Sequence, residues 1–109
     1  MTADNDLVVR TWCATATSAG AQEYRRYFAG TLLPQLRELA GFAGGYLLSR
    51  DLNNAVELTT HTFWESPAAI RAFAGDDITA SVVEPEAQSV LLDFDPTASH
   101  RSMLVDARG

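Results

Sequence analysis

The chain has 109 residues, 47% of them hydrophobic and 20% charged, and its 8 basic and 14 acidic side chains give a net charge of −6. This length predicts a single domain, because a typical domain takes about 100–200 residues. The basic residues are all arginines and only Arg25 and Arg26 are adjacent, which argues against nucleic acid or an anionic membrane as a partner. One cysteine, Cys13, and two histidines cannot supply an internal disulfide or a zinc site, so a reducing cytoplasm is the expected location.

The first predicted elements are a strand and a long helix. Leu7–Thr17 is rich in Val, Thr and Trp and contains no Gly or Pro, which favours a strand. Ser18 is a suitable N-cap, and apolar residues then follow at intervals of three or four as far as Leu39, which predicts a helix. Pro34 lies inside this pattern, and because it lacks a backbone N–H we expect it to kink the helix or divide it around Leu33.

A hairpin follows the glycine-rich segment 41–45, which is predicted to be a turn. Tyr46–Arg50 and Val56–Glu65 are the predicted strands of this hairpin, and residues 51–54 supply its turn. A second helix is predicted to begin at Ser66-Pro67, run to about Phe73 and end at Gly75. A short helical stretch is predicted from Asp76 to about Val83. The last predicted elements are a strand over Ala87–Asp95 and a short strand or arm over Ser102–Val105.

The order β, α, β, β, α, β predicts an α+β, ferredoxin-like fold, in which one antiparallel sheet carries both helices on one face. The other face of the sheet is left bare. An apolar fraction near half is high for a monomer of this size, so the bare face is a candidate contact surface for a partner. The domain is expected to span residues 7–105, with flexible ends at 1–6 and 106–109.

Side chains of the predicted strand Val56–Glu65 alternate between the two faces of the sheet. Thr60, Thr62 and Trp64 fall on one face, where they either line a small pocket beneath the helices or simply pack there. His61 falls on the opposite face; an unperturbed pKa of about 6.5 suits it to act as a general base, and packing at an interface is the alternative. Glu57 and Glu65 lie four residues before and after His61, and residues four apart on a strand are separated by about 13 Å, so these three side chains cannot bind one metal ion.

Aromatic residues cluster on the first strand and at the start of the long helix. This cluster comprises Trp12, Tyr24, Tyr27 and Phe28. It either forms ordinary core or encloses a flat aromatic ligand. Arg10 lies two residues before Trp12 and on the same face, where its guanidinium either steadies an anionic oxygen of such a ligand or forms an intersubunit salt bridge. His100 lies in a polar segment and is expected to be exposed or to make a packing contact.

The stretch FWESPAAIRAFAGDDI, from Phe63 to Ile78, resembles the third strand and second helix of the antibiotic biosynthesis monooxygenase family. The similarity extends more loosely over about Leu7–Val105, including Pro85-Glu86, Phe94-Asp95-Pro96 and His100. This resemblance implies a dimeric α+β barrel, in which two sheets pack by their bare faces and each subunit holds a pocket between its sheet and its helices. Relatives include cofactor-free oxygenases that convert phenolic polyketides to quinones, haem-degrading monooxygenases and polyketide cyclases.

Individual residues match this family in part. Trp64 matches the pocket tryptophan of the quinone-forming oxygenases, whereas their asparagine four residues earlier is Thr60 here and their tyrosine six residues later is Ile70. Phe73 stands where the haem degraders have a tryptophan, and their haem-ligating histidine falls near Val83. The resemblance therefore does not favour haem as the ligand.

The residues and the resemblance together favour a cofactor-independent oxygenase that uses molecular oxygen and acts on a polycyclic phenol or another aromatic, polyketide-type substrate of secondary metabolism. The candidate catalytic residues are Trp64, Thr60 and His61, and the candidate substrate-binding residues are Arg10, Trp12, Tyr24, Tyr27, Phe28, Thr62 and Phe73. No cofactor and no metal is predicted, and the expected partner is a second copy of the chain. The alternatives are a polyketide cyclase or isomerase that uses the same cavity, and a non-catalytic dimer that binds a ligand or haem.

Overall fold

The computed structural model describes residues 7–108 and shows one antiparallel sheet with helices packed on one face. The predicted flexible segment 1–6 and Gly109 lie outside the described residues. The strands are β1 (Val8–Ala16), β2 (Phe42–Asp51), β3 (Val56–Trp64), β4 (Asp93–Phe94) and β5 (Ser99–Ser102). The helices are α1 (Ser18–Tyr27), a π-helical turn (Phe28–Leu32), α2 (Leu33–Arg37), α3 (Pro67–Ala74) and α4 (Pro85–Gln88). Between residues 7 and 108, no helix is long and apolar enough to cross a membrane.

The strand order of the sheet is β2-β3-β1-β4, and every pairing is antiparallel. β4 pairs with β1 at Ala14 and Thr15, and β5 pairs with the other half of β1, from Val8 to Thr11. The two short strands together therefore complete one edge of the sheet. This arrangement confirms the predicted α+β, ferredoxin-like fold.

The faces of the sheet follow from the alternation of burial along β1 and β3. The register places Arg10 opposite Thr62 and Trp12 opposite Thr60, so these four side chains share the face that the helices cover. We call the other side the bare face. Its residues on the three long strands are Val9, Thr11, Cys13, Thr15, Gly44, Tyr46, Leu48, Arg50, Glu57, Thr59, His61 and Phe63.

The π-helical turn at Phe28–Leu32 interrupts the long helix, and α2 begins at Leu33, where the division was predicted. The Leu33 N–H donates to the carbonyl oxygen of Phe28, five residues back, and this bond closes the π-helical turn. Pro34 then stands in the first turn of α2, where a missing N–H costs no helical hydrogen bond. The wide turn upstream therefore accommodates the proline.

Side-chain caps begin both α1 and α3. Thr17, rather than the predicted Ser18, caps α1, because its Oγ1 accepts a hydrogen bond of 2.9 Å from the N–H three residues on. Ser66 caps α3 as predicted, and its Oγ accepts from the Ala69 N–H at 3.1 Å. Gly75, with a φ of +84°, ends α3 as predicted.

The segment 76–83 is not helical, contrary to the prediction. The Asp77 carboxylate instead accepts hydrogen bonds from the N–H and the hydroxyl of Thr79, a local turn that competes with helix formation. The carbonyl oxygens of Ile78 and Ala80 accept from the Arg10 guanidinium. Contacts with a distant strand therefore take the carbonyls that a helix would use.

The predicted strand Ala87–Asp95 is wrong over most of its length. Pro85 begins the short helix α4, which extends into the predicted strand, since proline is tolerated in a first helical turn. Only Asp93–Phe94 is a strand, held beside β1 by hydrogen bonds from Leu92 and Asp95 to its carbonyls. The final strand begins at Ser99, three residues before the predicted position.

Two of the glycines predicted to form a turn, Gly44 and Gly45, lie inside β2. The register with β3 shifts between Phe42 and Gly44, and Gly44 has a φ of +117°. A Cβ on Gly45 would lie 2.6 Å from the carbonyl oxygen of His61. The glycines therefore permit a β-bulge and a close approach of the two strands.

Candidate active site

A small cavity lies between the helices and the sheet, above β1 and β3. We call it the inner pocket, and it is lined by Arg10, Trp12, Tyr24, Phe28, Leu32, Leu36, Thr60, Thr62, Phe73 and Val82. The lining includes seven of the ten predicted site residues and leaves out Tyr27, His61 and Trp64. Its volume is about 30 Å³, enough for roughly two water molecules and far below the roughly 300–1,000 Å³ of a typical ligand site.

Arg10 contributes the one charged side chain in the lining of this pocket, and it is only 4% exposed. Its Nη1 donates to the carbonyl oxygen of Ile78 and its Nη2 donates to that of Ala80 at 2.7 Å. Within residues 7–108, no carboxylate lies within 4.0 Å of its nitrogens. Burial lowers the pKa of Arg10, but a guanidinium keeps its proton in proteins. The pocket therefore holds a buried positive charge with no negative partner in the described chain.

His100 holds the Arg10 guanidinium from the neighbouring strand. The two residues face each other across the β1–β5 pairing, and His100 Nε2 lies 3.1 Å from Arg10 Nη1. A guanidinium only donates hydrogen bonds, so Nε2 accepts and the ring proton is on Nδ1. Burial, and then the nearby Arg10 charge, lower the pKa of His100. The sequence predicted only exposure or packing for His100, because no local pattern shows which strand pairs with β1 at this end.

Thr60 and Thr62 are each 8% exposed and line the inner pocket. Trp64 lies behind them, fully buried, and its Nε1 donates to Thr62 Oγ1 at 2.8 Å. The Trp64 ring also stacks on Phe73, with 6.0 Å between the ring centroids. Because the Thr62 oxygen accepts from the indole, its own proton is free to be donated into the pocket. Trp64 thus orients Thr62 and supports Phe73 from outside the cavity.

Three further aromatic rings, those of Trp12, Tyr24 and Phe28, form part of the pocket wall. The ring centroids of Trp12 and Tyr24 are 6.0 Å apart, and those of Tyr24 and Phe28 are 6.5 Å apart. Burial, and then the neighbouring Tyr27, raise the pKa of Tyr24, so its hydroxyl is uncharged at neutral pH. Tyr27 is buried beside Tyr24, outside the pocket lining.

His61 lies on the bare face, on the other side of the sheet from the inner pocket. Its Nδ1 is 2.9 Å from Thr11 Oγ1, and the two residues are register partners in β1 and β3. A ligand in the inner pocket is therefore separated from this imidazole by the sheet itself.

Comparison with known proteins relates this architecture to a group of enzymes. No protein-family model matches the chain, and no curated protein is significantly similar to it in sequence. Among solved structures, a candidate antibiotic biosynthesis monooxygenase from Bacillus cereus is 13% identical, with a TM-score of 0.64 over 95% of this chain and 99% of its own. The monooxygenase ActVA-Orf6 of Streptomyces coelicolor, solved in complex with nanaomycin D, is 16% identical, with a TM-score of 0.59 over 95% and 92%.

A third solved structure is SnoaB, a cofactor-independent oxygenase from Streptomyces nogalater. It is 25% identical, with a TM-score of 0.53, and the comparison covers 95% of each chain. This chain has the antibiotic biosynthesis monooxygenase fold. The resemblance noted at residues 63–78 is thereby confirmed at the level of the fold.

The monooxygenase fold of this chain carries a second, open depression that the sequence did not predict. We call it the outer groove; it lies between α1, the π-helical turn and the β2–β3 hairpin, and its volume is about 600 Å³. It is lined by Ser18, Ala21, Gln22, Arg25, Phe28, Ala29, Leu33, Leu47, Leu48, Ser49, Asp51, Val56 and Leu58. Phe28 lines both the outer groove and the inner pocket.

The inner pocket offers a cation, hydroxyl groups and aromatic walls to a ligand. A buried guanidinium and a donating hydroxyl stabilise an oxyanion, and aromatic rings favour a flat, apolar ligand body. Among residues 7–108, no group of three or more His, Cys, Asp or Glu side chains is arranged to hold a metal ion. The arrangement in this monooxygenase fold therefore suits an aromatic molecule that bears an acidic oxygen.

Proposed function

We propose that this protein is a cofactor-independent oxygenase of the antibiotic biosynthesis monooxygenase type, an oxidoreductase that uses molecular oxygen on a polycyclic phenol or related polyketide-type aromatic of secondary metabolism. The observation that carries the proposal is the buried Arg10 guanidinium, which lines an aromatic pocket and has no carboxylate of residues 7–108 beside it. The fold supports it, since one structural neighbour is a cofactor-independent oxygenase and another was solved with nanaomycin D.

The first step in this proposal is loss of a proton from the substrate to solvent water, which later returns a proton to the peroxide. A positive charge beside a phenol favours the phenolate and lowers the pKa of the phenol. Arg10 supplies that charge, and the Thr62 hydroxyl donates a hydrogen bond to the same oxygen. Both groups are buried, where electrostatic interactions are screened less than in water.

The substrate then carries the redox chemistry. The anion of an anthrone-type phenol transfers one electron to molecular oxygen, and the resulting radical and superoxide combine to form a peroxide on the ring carbon. Protonation and loss of water leave a carbonyl at that carbon. One oxygen atom enters the quinone and the other leaves as water, while the substrate loses two hydrogen atoms. The protein contributes enclosure and stabilisation of the anion.

The proposal includes a homodimer formed through the bare face, in a cytoplasmic location. Tyr46 and Leu48 lie on this face, and each is 46% exposed. Large apolar side chains clustered on one exposed sheet face are typical of a contact surface. The occupant that we propose is the same face of a second copy, which gives a closed two-fold assembly.

Oxygen uptake with 1,8-dihydroxyanthrone tests the proposed reaction. We expect the protein to consume one oxygen molecule per quinone formed. Arg10→Met should lower kcat/KM by about 10- to 150-fold, because a hydrogen bond to a charged group contributes about 1.5–3 kcal/mol. Arg10→Lys, which keeps the charge, should retain part of the activity, and Arg71→Met, at an exposed position of α3, should match the unsubstituted protein.

Near-UV circular dichroism of the Arg10 variants separates a loss of chemistry from a loss of folding. Oxygen uptake no faster than in protein-free buffer, across a panel of anthrone-like phenols, would contradict the proposal. Conversion of a polyketide-type substrate without oxygen uptake would instead identify a cyclase or isomerase.

A further inference from the structure

The inner pocket is too small for the substrate class proposed above. Its volume is about 30 Å³, whereas sites for drug-sized ligands have roughly 300–1,000 Å³. Only the oxygen-bearing edge of a fused-ring phenol fits between Arg10 and Thr62. The remaining rings must therefore lie in a neighbouring space.

The outer groove is such a space, and the Phe28 side chain stands between it and the inner pocket. The volume of the groove, about 600 Å³, falls within the range of ligand sites. Leu47, Val56 and Leu58 give it apolar walls, which favour the flat face of an aromatic ligand. Polar side chains such as Arg25 and Asp51 also line it, and they can meet hydroxyl substituents on the rings.

The π-helical turn explains why Phe28 borders both spaces. In such a turn, closed by a bond between residues five apart, the residues four and five positions on lie on either side of the direction of the first residue. Leu33 therefore lines the outer groove together with Phe28, whereas Leu32 lines the inner pocket. A continuous α-helix, with its shorter turn, would not place these two leucines on either side of Phe28. Single π-helical turns are frequent at functional sites.

We infer that the outer groove is the ring-binding half of the substrate site and that Phe28 is the specificity-determining partition, which turns aside when the substrate binds. The inference rests on the proposed function and narrows its substrate class. The substrate is a flat, fused-ring phenol whose acidic oxygen lies at one edge, so that this oxygen reaches Arg10 while the rings occupy the groove.

Nuclear magnetic resonance of the ¹⁵N-labelled protein tests where such a ligand lies. The probe is 1,8-dihydroxyanthraquinone, which has fused rings and phenolic oxygens and is already oxidised at its central ring. We expect amide shifts at Ala29, Leu47 and Leu58 in the groove as well as at Arg10 and Thr62. Shifts confined to the inner pocket would overturn the inference and leave the proposed reaction standing.

A pair of matched variants tests the groove by affinity. Ala29→Trp fills the groove from a position that does not line the inner pocket, and Ala19→Trp makes the same change at an exposed position of α1 outside both linings. We expect Ala29→Trp to raise the Kd of the probe, measured by calorimetry, by about tenfold or more, and Ala19→Trp to leave it unchanged. Equal Kd values for the two variants would overturn the inference. Absence of both probe binding and oxygen uptake would overturn the proposed function as well.

Discussion

Arg10 shows how a residue acquires a role from its contacts. A guanidinium has about five N–H donors, and the carbonyls of Ile78 and Ala80 together with His100 Nε2 engage three of them. Within residues 7–108 the remaining donors have no hydrogen-bond partner, and we propose that they meet the ligand in the inner pocket. The alternation of β1 predicted that Arg10 shares a face with Trp12, and the structure agrees. Its burial and its partners depend on segments some 70 to 90 residues away, which local patterns do not contain.

The protonation state of His100 predicts how the stability of the fold depends on pH. Burial and the Arg10 charge lower the pKa of His100 below the ordinary value of 6.5, so the unfolded chain binds this proton more readily than the folded one. This contribution to stability is complete above about pH 6.5 and declines as the pH falls from there towards the folded-state pKa.

Urea unfolding at a series of pH values from about 8 to 5 measures this effect. We expect the free energy of unfolding of the unsubstituted protein to fall, relative to that of His100→Gln, as the pH decreases through this range. The glutamine variant serves as the control because it lacks the titrating group while all carboxylates are kept. A difference between the two proteins that stays constant with pH would contradict the assignment of a neutral, half-buried His100.

Helices and strands were predicted best where their signals are local. Ser66 followed by Pro67 marks the start of α3, and the alternation of β3 places Thr60 and Thr62 on the helix-covered face, as the structure shows. The π-helical turn was not predicted, because apolar spacing of three or four residues is compatible with either kind of turn. The prediction of a helix over 76–83 was wrong. Its acidic start favours a helix, but the Arg10 guanidinium binds two carbonyl oxygens that the helix would need.

The cap of α1 gives a stability test with an internal control. Thr17 Oγ1 accepts the N–H of Gly20, and Ser18 stands inside the first helical turn. Thr17→Ala should therefore lower the free energy of unfolding by about 1 kcal/mol, whereas Ser18→Ala should change it by less than about 0.5 kcal/mol. Chemical denaturation of the two variants measures both values. A larger loss for Ser18→Ala would show that the sequence-based choice of cap was the right one.

The whole molecule has one sheet face covered by helices and one that is bare. On the bare face, Tyr46 packs edge-on against Phe63 with 5.4 Å between the ring centroids, and the guanidinium of Arg108 lies 4.5 Å from the Phe63 centroid. The C-terminal residues therefore contact only part of this face. Leu48 remains exposed beside them, which is why we propose a second copy as the partner.

Light scattering coupled to size-exclusion chromatography tests the proposed dimer. Leu48→Glu places a charge on the bare face, so we expect the variant to elute as a monomer at micromolar concentration, because an uncompensated buried charge is costly at an interface. Leu92→Glu makes the same change at a position that is 62% exposed beside β4, and it should remain dimeric. A monomeric mass for the unsubstituted protein would contradict the proposed assembly.

The sequence by itself determined the βαββαβ order of the main elements, the faces of β1 and β3, the cap of α3 and the placement of Arg10 on the same face as Trp12. These features arise from periodicity and capping, which are properties of neighbouring residues. Only the tertiary structure decided that His100 meets Arg10, that Trp64 stands behind Thr62, and that Phe28 separates two cavities. Each of these depends on how distant segments pack, and packing is decided by shape and by competition for hydrogen bonds across the whole chain.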